Sequence, residues 1–151
     1  DLLGQRPRQK LNAQVRALLA VIADTNQFEL MRRELNEHDF DDSLAKELFI
    51  ILEECYRTND LSFRSILNHC QNETMRQLIA ETAYSGEFSQ NTVQTVHDSI
   101  ELIKRSSLKR QSEVLLNRIR LLTPVTLEDQ QQLQLLLAQK SEIDRKLRKK
   151  D

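Results

Sequence analysis

The densest group of reactive residue types in this 151-residue chain is Glu37-His38-Asp39, followed by Asp41 and Asp42. Carboxylates beside an imidazole can ligate a divalent cation or act as an acid/base pair. The spacing suits neither. The calcium loop of an EF-hand requires a central glycine, and none lies between Gly4 and Gly86. The group reads instead as a solvated interhelix loop, with Asp41 or Asp42 capping the next helix. His69-Cys70 has the residue types of a base and a nucleophile. Adjacent residues on a helix point about 100° apart, so the two read as buried structural groups. His97 has Val93 and Glu101 one turn away, which is too few ligands for a metal. Glu53 and Glu54 fall on different faces of one helix. No serine, histidine and aspartate can be placed together. The chain by itself is expected to have no catalytic site, no metal and no cofactor.

The elements carrying these residues follow from composition. With 2 Gly, 2 Pro and no Trp, the chain lacks the turn residues that sheets need. Two glycines as distant as Gly4 and Gly86 exclude both a P-loop and a dinucleotide-binding Gly-x-Gly-x-x-Gly loop. Leu, Gln, Glu, Arg, Lys and Ala are strong helix formers, and the expected fold class is all-α. The longest apolar run, Ala17 to Ala23, is far short of a membrane span, and no signal-peptide core is visible. Cys55 and Cys70 are not in a C-x-x-C spacing and read as small buried residues of a reduced, cytoplasmic protein. The opening on Asp1 without Met suggests a piece of a longer chain.

Residues 1–8 read as the end of a linker, because Gly4 and Pro7 disfavour helix there. From Gln9 the apolar period is helical: Leu11, Val15, Leu18, Leu19 and Ile22, then Phe28, Leu30, Met31 and Leu35, then Leu44, Leu48, Ile51, Leu52 and Cys55. Two shorter segments carry Phe63, Ile66 and Leu67, and Met75, Leu78 and Ile79. Gly86 stands where a left-handed helix end is expected. From Ser89 to Pro124 nothing interrupts the chain, which predicts one helix of about 33 residues and about 50 Å. Thr126 and Asp129 resemble a capping box before a last helix. Its Leu133, Leu136, Leu137, Ile143 and Leu147 are spaced for a seam, and a short loop between two such helices makes an antiparallel hairpin. The expected organisation is a bundle of five to six helices over residues 9–104, and a long-helix extension with a hairpin over 105–151. The expected core includes Leu18, Leu19, Leu48, Ile51, Leu52, Leu78, Ile79, Val96 and Ile100. Ser106-Ser107, two weak helix formers, mark a loosely packed stretch where a bend is expected.

The net charge of −1 conceals a split. Residues 1–103 hold 10 Lys+Arg against 17 Asp+Glu, and residues 104–151 hold 12 against 6. The basic hairpin needs a partner class. It contains no aromatic side chain to stack on bases, which favours a protein partner over a single-stranded nucleic-acid groove. Its last helix also has more leucine than one seam requires. Leu135 is the expected outward anchor, with Arg145 and Arg148 steering an acidic partner.

This layout resembles the C-terminal domain of bacterial DnaG-type DNA primase. The tract Glu47 to Asp60, ELFIILEECYRTND, is similar to that family's third helix. Asp98 to Arg110, DSIELIKRSSLKR, is similar to its long connecting helix, and Leu135 to Leu147, LLLAQKSEIDRKL, to its final helix. The resemblance spans roughly residues 9–149 and rests on pattern more than on one sharp motif. It implies a domain that binds the hexameric replicative helicase and recruits primase to the fork for primer synthesis. The zinc-binding and polymerising domains would then lie upstream. The excess leucine and the cations of the hairpin place the expected helicase contact there, at Arg118, Leu122, Leu127, Leu135, Arg145 and Arg148, with the bundle as a secondary surface. A single-strand-binding protein is a second candidate partner, direct nucleic-acid binding is expected to be weak or absent, and no membrane is involved. The expected state is a monomer, with a swapped dimer as the alternative. Two other readings compete: the amino-terminal domain of the helicase itself, which has a related helical fold, and a helical nucleic-acid-binding module. The abrupt basic ending favours primase over the helicase.

Overall fold

A computed structural model describes residues 11–88 and 90–149. The linker end read at 1–8, and the expected helix start at Gln9, lie outside the described residues. Among those described there are seven α-helices, two short 3-10 turns and no strand, so the all-α class is borne out. The helices are α1 (Ala13–Ala23), α2 (Phe28–Glu34), α3 (Ser43–Arg57), α4 (Phe63–His69), α5 (Glu73–Ser85), α6 (Thr92–Leu121) and α7 (Leu127–Arg148). They form two compact units, Asp1–Glu101 and Leu102–Asp151, and the division falls inside α6.

Side-chain caps set most boundaries of the first unit. Asn12 accepts from the Gln14 amide at 2.7 Å, so α1 begins at Ala13 and Leu11 precedes it. Asp42 caps α3, Ser62 caps α4 and Asn72 caps α5, each by accepting from the helix's first free amides. Gly86 ends α5 in the left-handed region at φ 65°, which costs glycine no Cβ clash.

The core of this unit follows the apolar period. Leu18, Leu19, Leu48, Ile51, Leu52, Ile79, Val96 and Ile100 are buried. Leu78 is only half-buried, because α5 turns Met75, Ile79 and Thr82 inward and leaves Leu78 on the flank. Phe28 and Phe40 both pack on Phe49, with ring centroids 5.6 and 5.1 Å away. The buried Gln14 joins α1 to the approach of α3, its Oε1 accepting from the amides of Asp41 at 3.2 Å and Asp42 at 3.0 Å.

One ion pair fastens α2 to α3. Arg32 donates through Nε and Nη2 to the two oxygens of Glu53, at 3.0 and 2.7 Å, and its guanidinium lies 4.2 Å from the Tyr56 ring centre. The Arg32 hydrogen bond holds the Glu53 carboxyl below its ordinary pKa of 4.5. A carboxylate whose pKa falls on folding stabilises above its unfolded pKa, and that stabilisation fades as pH drops through the folded value. The stability gap between this protein and Glu53→Gln is therefore expected to be full near neutrality, shrinking on acidification below about 4.5. Urea melts of both proteins across that range check it, and a gap independent of pH would remove the charge from the account.

The second unit is an antiparallel hairpin of the C-terminal part of α6 against α7. Residues 122–126 form the break, one residue earlier than the Thr123 start that the sequence suggests. The Thr126–Asp129 capping box is present, with the Asp129 amide donating to Thr126 Oγ1 at 3.1 Å and the Thr126 amide donating back at 3.2 Å. Leu115 and Leu136 are buried in the hairpin, while Leu133, Ile143 and Leu147 are half-buried. Lys140 takes the remaining position of this 3-4-3-4 spacing. It donates to Asp144 at 2.6 Å, and Asp144 accepts from Ser112 of α6 at 2.7 Å. These bonds hold the Asp144 carboxyl below the usual range, Lys140 first and Ser112 second. A polar residue in such a seam fixes register between the helices.

Two expectations fail in this unit. Leu137 does not join the seam and is 47% exposed, because it sits about 100° around the helix from Leu136. Ser106-Ser107 is not a loose bend. α6 runs through it unbroken, and Ser107 is buried, with Gln111 Nε2 donating to its Oγ at 3.1 Å. A small side chain permits close packing at that point.

Candidate docking surface

Several of the groups singled out in the first unit are engaged in local structure. Glu37-His38-Asp39 is a 3-10 turn with its own capping box, closed by Asn36 and Asp39. No group of His, Cys, Asp or Glu able to hold a metal occurs among the described residues. His69 does not engage Cys70. Its Nδ1 lies 2.8 Å from the Ser65 carbonyl, which makes it the protonated, donating nitrogen, and 3.5 Å from Cys55 Sγ. Both thiols are free and buried, and burial pushes each above its ordinary pKa, the opposite of a nucleophile's need. A cleft of about 300 Å³ is lined by Leu67, Glu73, Arg76, Gln77 and Ala80. Arg76 Nη1 donates to the carbonyls of Leu67 and Cys70, turning its charge onto the chain itself.

The exposed apolar side chains of the hairpin are a different matter. Leu121 is 84% exposed, Val125 77%, Leu127 70% and Leu135 58%, and Val114 is also exposed. Leu127 and Leu135 belong to α7, which has more leucine than its seam uses, whereas Val114 and Leu121 lie on α6 and Val125 in the connection. The cross-hairpin bond from Ser112 to Asp144 marks one broad face, the one toward which Leu137 turns. Helix periodicity puts Arg118 and Leu135 on the opposite broad face, flanked by Val114 and Leu121. Val114 and Leu121 were not singled out in the sequence, although a spacing of two turns around Arg118 carries the signal.

The structure does not gather all six expected contact residues. Arg118, Leu122 and Leu127 lie toward the closed tip, where Leu122 is half-buried and the other two are exposed. Leu135 sits partway along α7. Arg145 and Arg148 lie at the open end. The 22 residues of α7 span about 33 Å, so Leu127 and Arg148 cannot line one small patch. Arg145 is also engaged by Glu142 one turn back, which raises its pKa. No described helix is long and apolar enough to cross a membrane.

Fold and surface together define an all-α domain of a helical unit and a terminal helical hairpin, with its exposed apolar residues toward the hairpin tip. Over 108 residues the chain is 44% identical to a DNA primase of Treponema pallidum (strain Nichols), across 72% of this chain and 18% of that protein. The chain thus spans less than a fifth of the relative it matches. The chain is similar to part of a DNA primase, consistent with the resemblance to the C-terminal domain of DnaG-type primases. No protein-family model matches the chain. No solved structure matches it either.

Proposed function

We propose that this domain binds the hexameric replicative helicase through the tip half of its hairpin. It would thereby recruit primase to the replication fork in the cytoplasm. The observation that carries this reading is the set of exposed apolar side chains at Leu121, Val125, Leu127 and Leu135. Exposed apolar anchors beside an arginine are the usual composition of a protein interface centre. The primase relative supports the parent activity. Primer synthesis itself is assigned to segments of the parent outside this chain, since none of the polar groups described above forms a catalytic set.

Purified hexameric helicase, titrated with the full chain, tests the reading. The double variant Leu121→Ser with Leu135→Ser is expected to weaken binding roughly thirty-fold, the loss of one interface hot spot. Leu137→Ser, on the other broad face, is expected to change it little. Undiminished binding by the double variant would sink the reading.

A further inference from the structure

The hairpin divides along its length into halves of opposite character. Residues 114–139, the tip half, hold Arg118 and Arg120 against Glu128 and Asp129 and are neutral overall. Residues 104–113 and 140–149, the open-end half, hold nine cations: Lys104, Arg105, Lys109, Arg110, Lys140, Arg145, Lys146, Arg148 and Lys149. Only Glu113, Glu142 and Asp144 oppose them. The apolar side chains exposed in the hairpin show the reverse distribution. Val114, Leu121, Val125, Leu127, Leu135 and Leu137 all lie in the tip half, and Leu102 alone precedes the cationic stretch.

We propose that the open-end half of the hairpin binds the phosphate backbone of duplex nucleic acid, apart from the protein-docking tip. Three features separate this from a second protein interface. The cationic half exposes no apolar anchor of its own, and protein interfaces draw their energy from such anchors. Five of the nine cations are lysine, which protein interfaces avoid and phosphates accept as a point charge. Two cation-bearing helix segments also run side by side. Arg105 Nη1 donates to the Leu147 carbonyl at 2.9 Å, which brings the Lys104–Arg110 and Arg145–Lys149 segments level. Each segment covers between one and two helical turns, roughly 6–9 Å, enough for two or three phosphates of a strand. A duplex is favoured over a single strand because single-strand grooves hold bases on aromatic rings, and none occurs in this unit.

Binding of this kind reads backbone charge and no sequence. Its dissociation constant should fall within about 10⁻⁴ to 10⁻⁶ M near physiological salt, and about four phosphates neutralised would give a log–log salt slope near −3.6. The test is fluorescence anisotropy of a labelled DNA duplex titrated with the full chain at several salt concentrations. DNA and RNA duplexes of one length are run in parallel, because the shared backbone chemistry predicts binding to both. Lys109→Glu with Arg148→Glu, both at exposed positions, is expected to weaken binding at low salt by about tenfold or more. Leu121→Ser with Leu135→Ser is expected to leave it unchanged. Three results would overturn the proposal: no saturable binding at low salt, equal loss in the tip variant, or a single strand of equal length binding as well as the duplex. Equal displacement of the duplex by polyglutamate of matched charge would overturn it too, in favour of an acidic protein. The helicase titration does not share these readouts, so each reading can fail alone.

Discussion

Phe28→Ala is expected to cost the first unit about 3–5 kcal/mol of stability. Phe28 is fully buried, its ring 5.6 Å from Phe49 and 6.0 Å from Tyr56 by centroid. Removing it opens a ring-sized void, and the neighbouring aromatic rings are too stiff to collapse into it. The location adds to the effect. α2 has seven residues, too few to persist as an isolated helix, so it depends on Phe28 and Met31 for its docking. Loss of Phe28 should also loosen the Arg32–Glu53 pair one turn on. Phe28→Leu refills most of the volume and is expected to cost well under half as much. Urea melts followed by the near-ultraviolet tyrosine signal report on this unit, since Tyr56 packs on the ring. A loss below about 1 kcal/mol for Phe28→Ala would show that the void closes, contradicting the packing described.

Gln14→Leu is expected to destabilise by about 2–4 kcal/mol, although it replaces a buried polar group with an apolar one of similar size. Gln14 Oε1 is the acceptor for two successive amides, those of Asp41 and Asp42. Neither amide lies inside a helix, so leucine leaves both without that acceptor, and each unsatisfied donor carries a penalty of about 1–3 kcal/mol when shielded from water. Asp42 is also the N-cap of α3, so the start of the longest helix of the first unit's interior depends on this contact. Gln14→Glu keeps an acceptor at that point and is expected to retain at least half of the stability difference. Amide hydrogen exchange gives the specific readout. The Asp41 and Asp42 amides should exchange faster in Gln14→Leu by more than the global change in stability explains. Unchanged exchange at these two positions would show that water takes over the acceptor role.

Much of this protein is legible without coordinates because helices are local objects. The scarcity of glycine and proline, the apolar period of the first unit, Gly86 as a helix end and the Thr126–Asp129 box all act within a few residues. Gly86 and the box are found in place, and the apolar period holds for the expected core apart from Leu78. His69 does not engage Cys70 either, but for a reason helix periodicity did not supply: α4 ends at His69 and Cys70 is its extended C-cap.

Long-range pairings were not legible. Gln14 meets Asp41 and Asp42, Arg32 meets Glu53, and His69 meets Cys55 instead of its neighbour. No local rule selects such partners among the many polar residues available. Leu137 shows the same limit within a single helix. A leucine-rich run has several apolar stripes, and only the partner helix decides which becomes the seam. The sequence also held every charge and leucine of the hairpin, and its net basicity suggested one surface. Only folding α6 back along α7 set the cations of Lys104–Arg110 beside those of Arg145–Lys149 and the exposed leucines near the turn. Charge and apolarity then separate along the hairpin because antiparallel packing aligns the start of one helix with the end of the other.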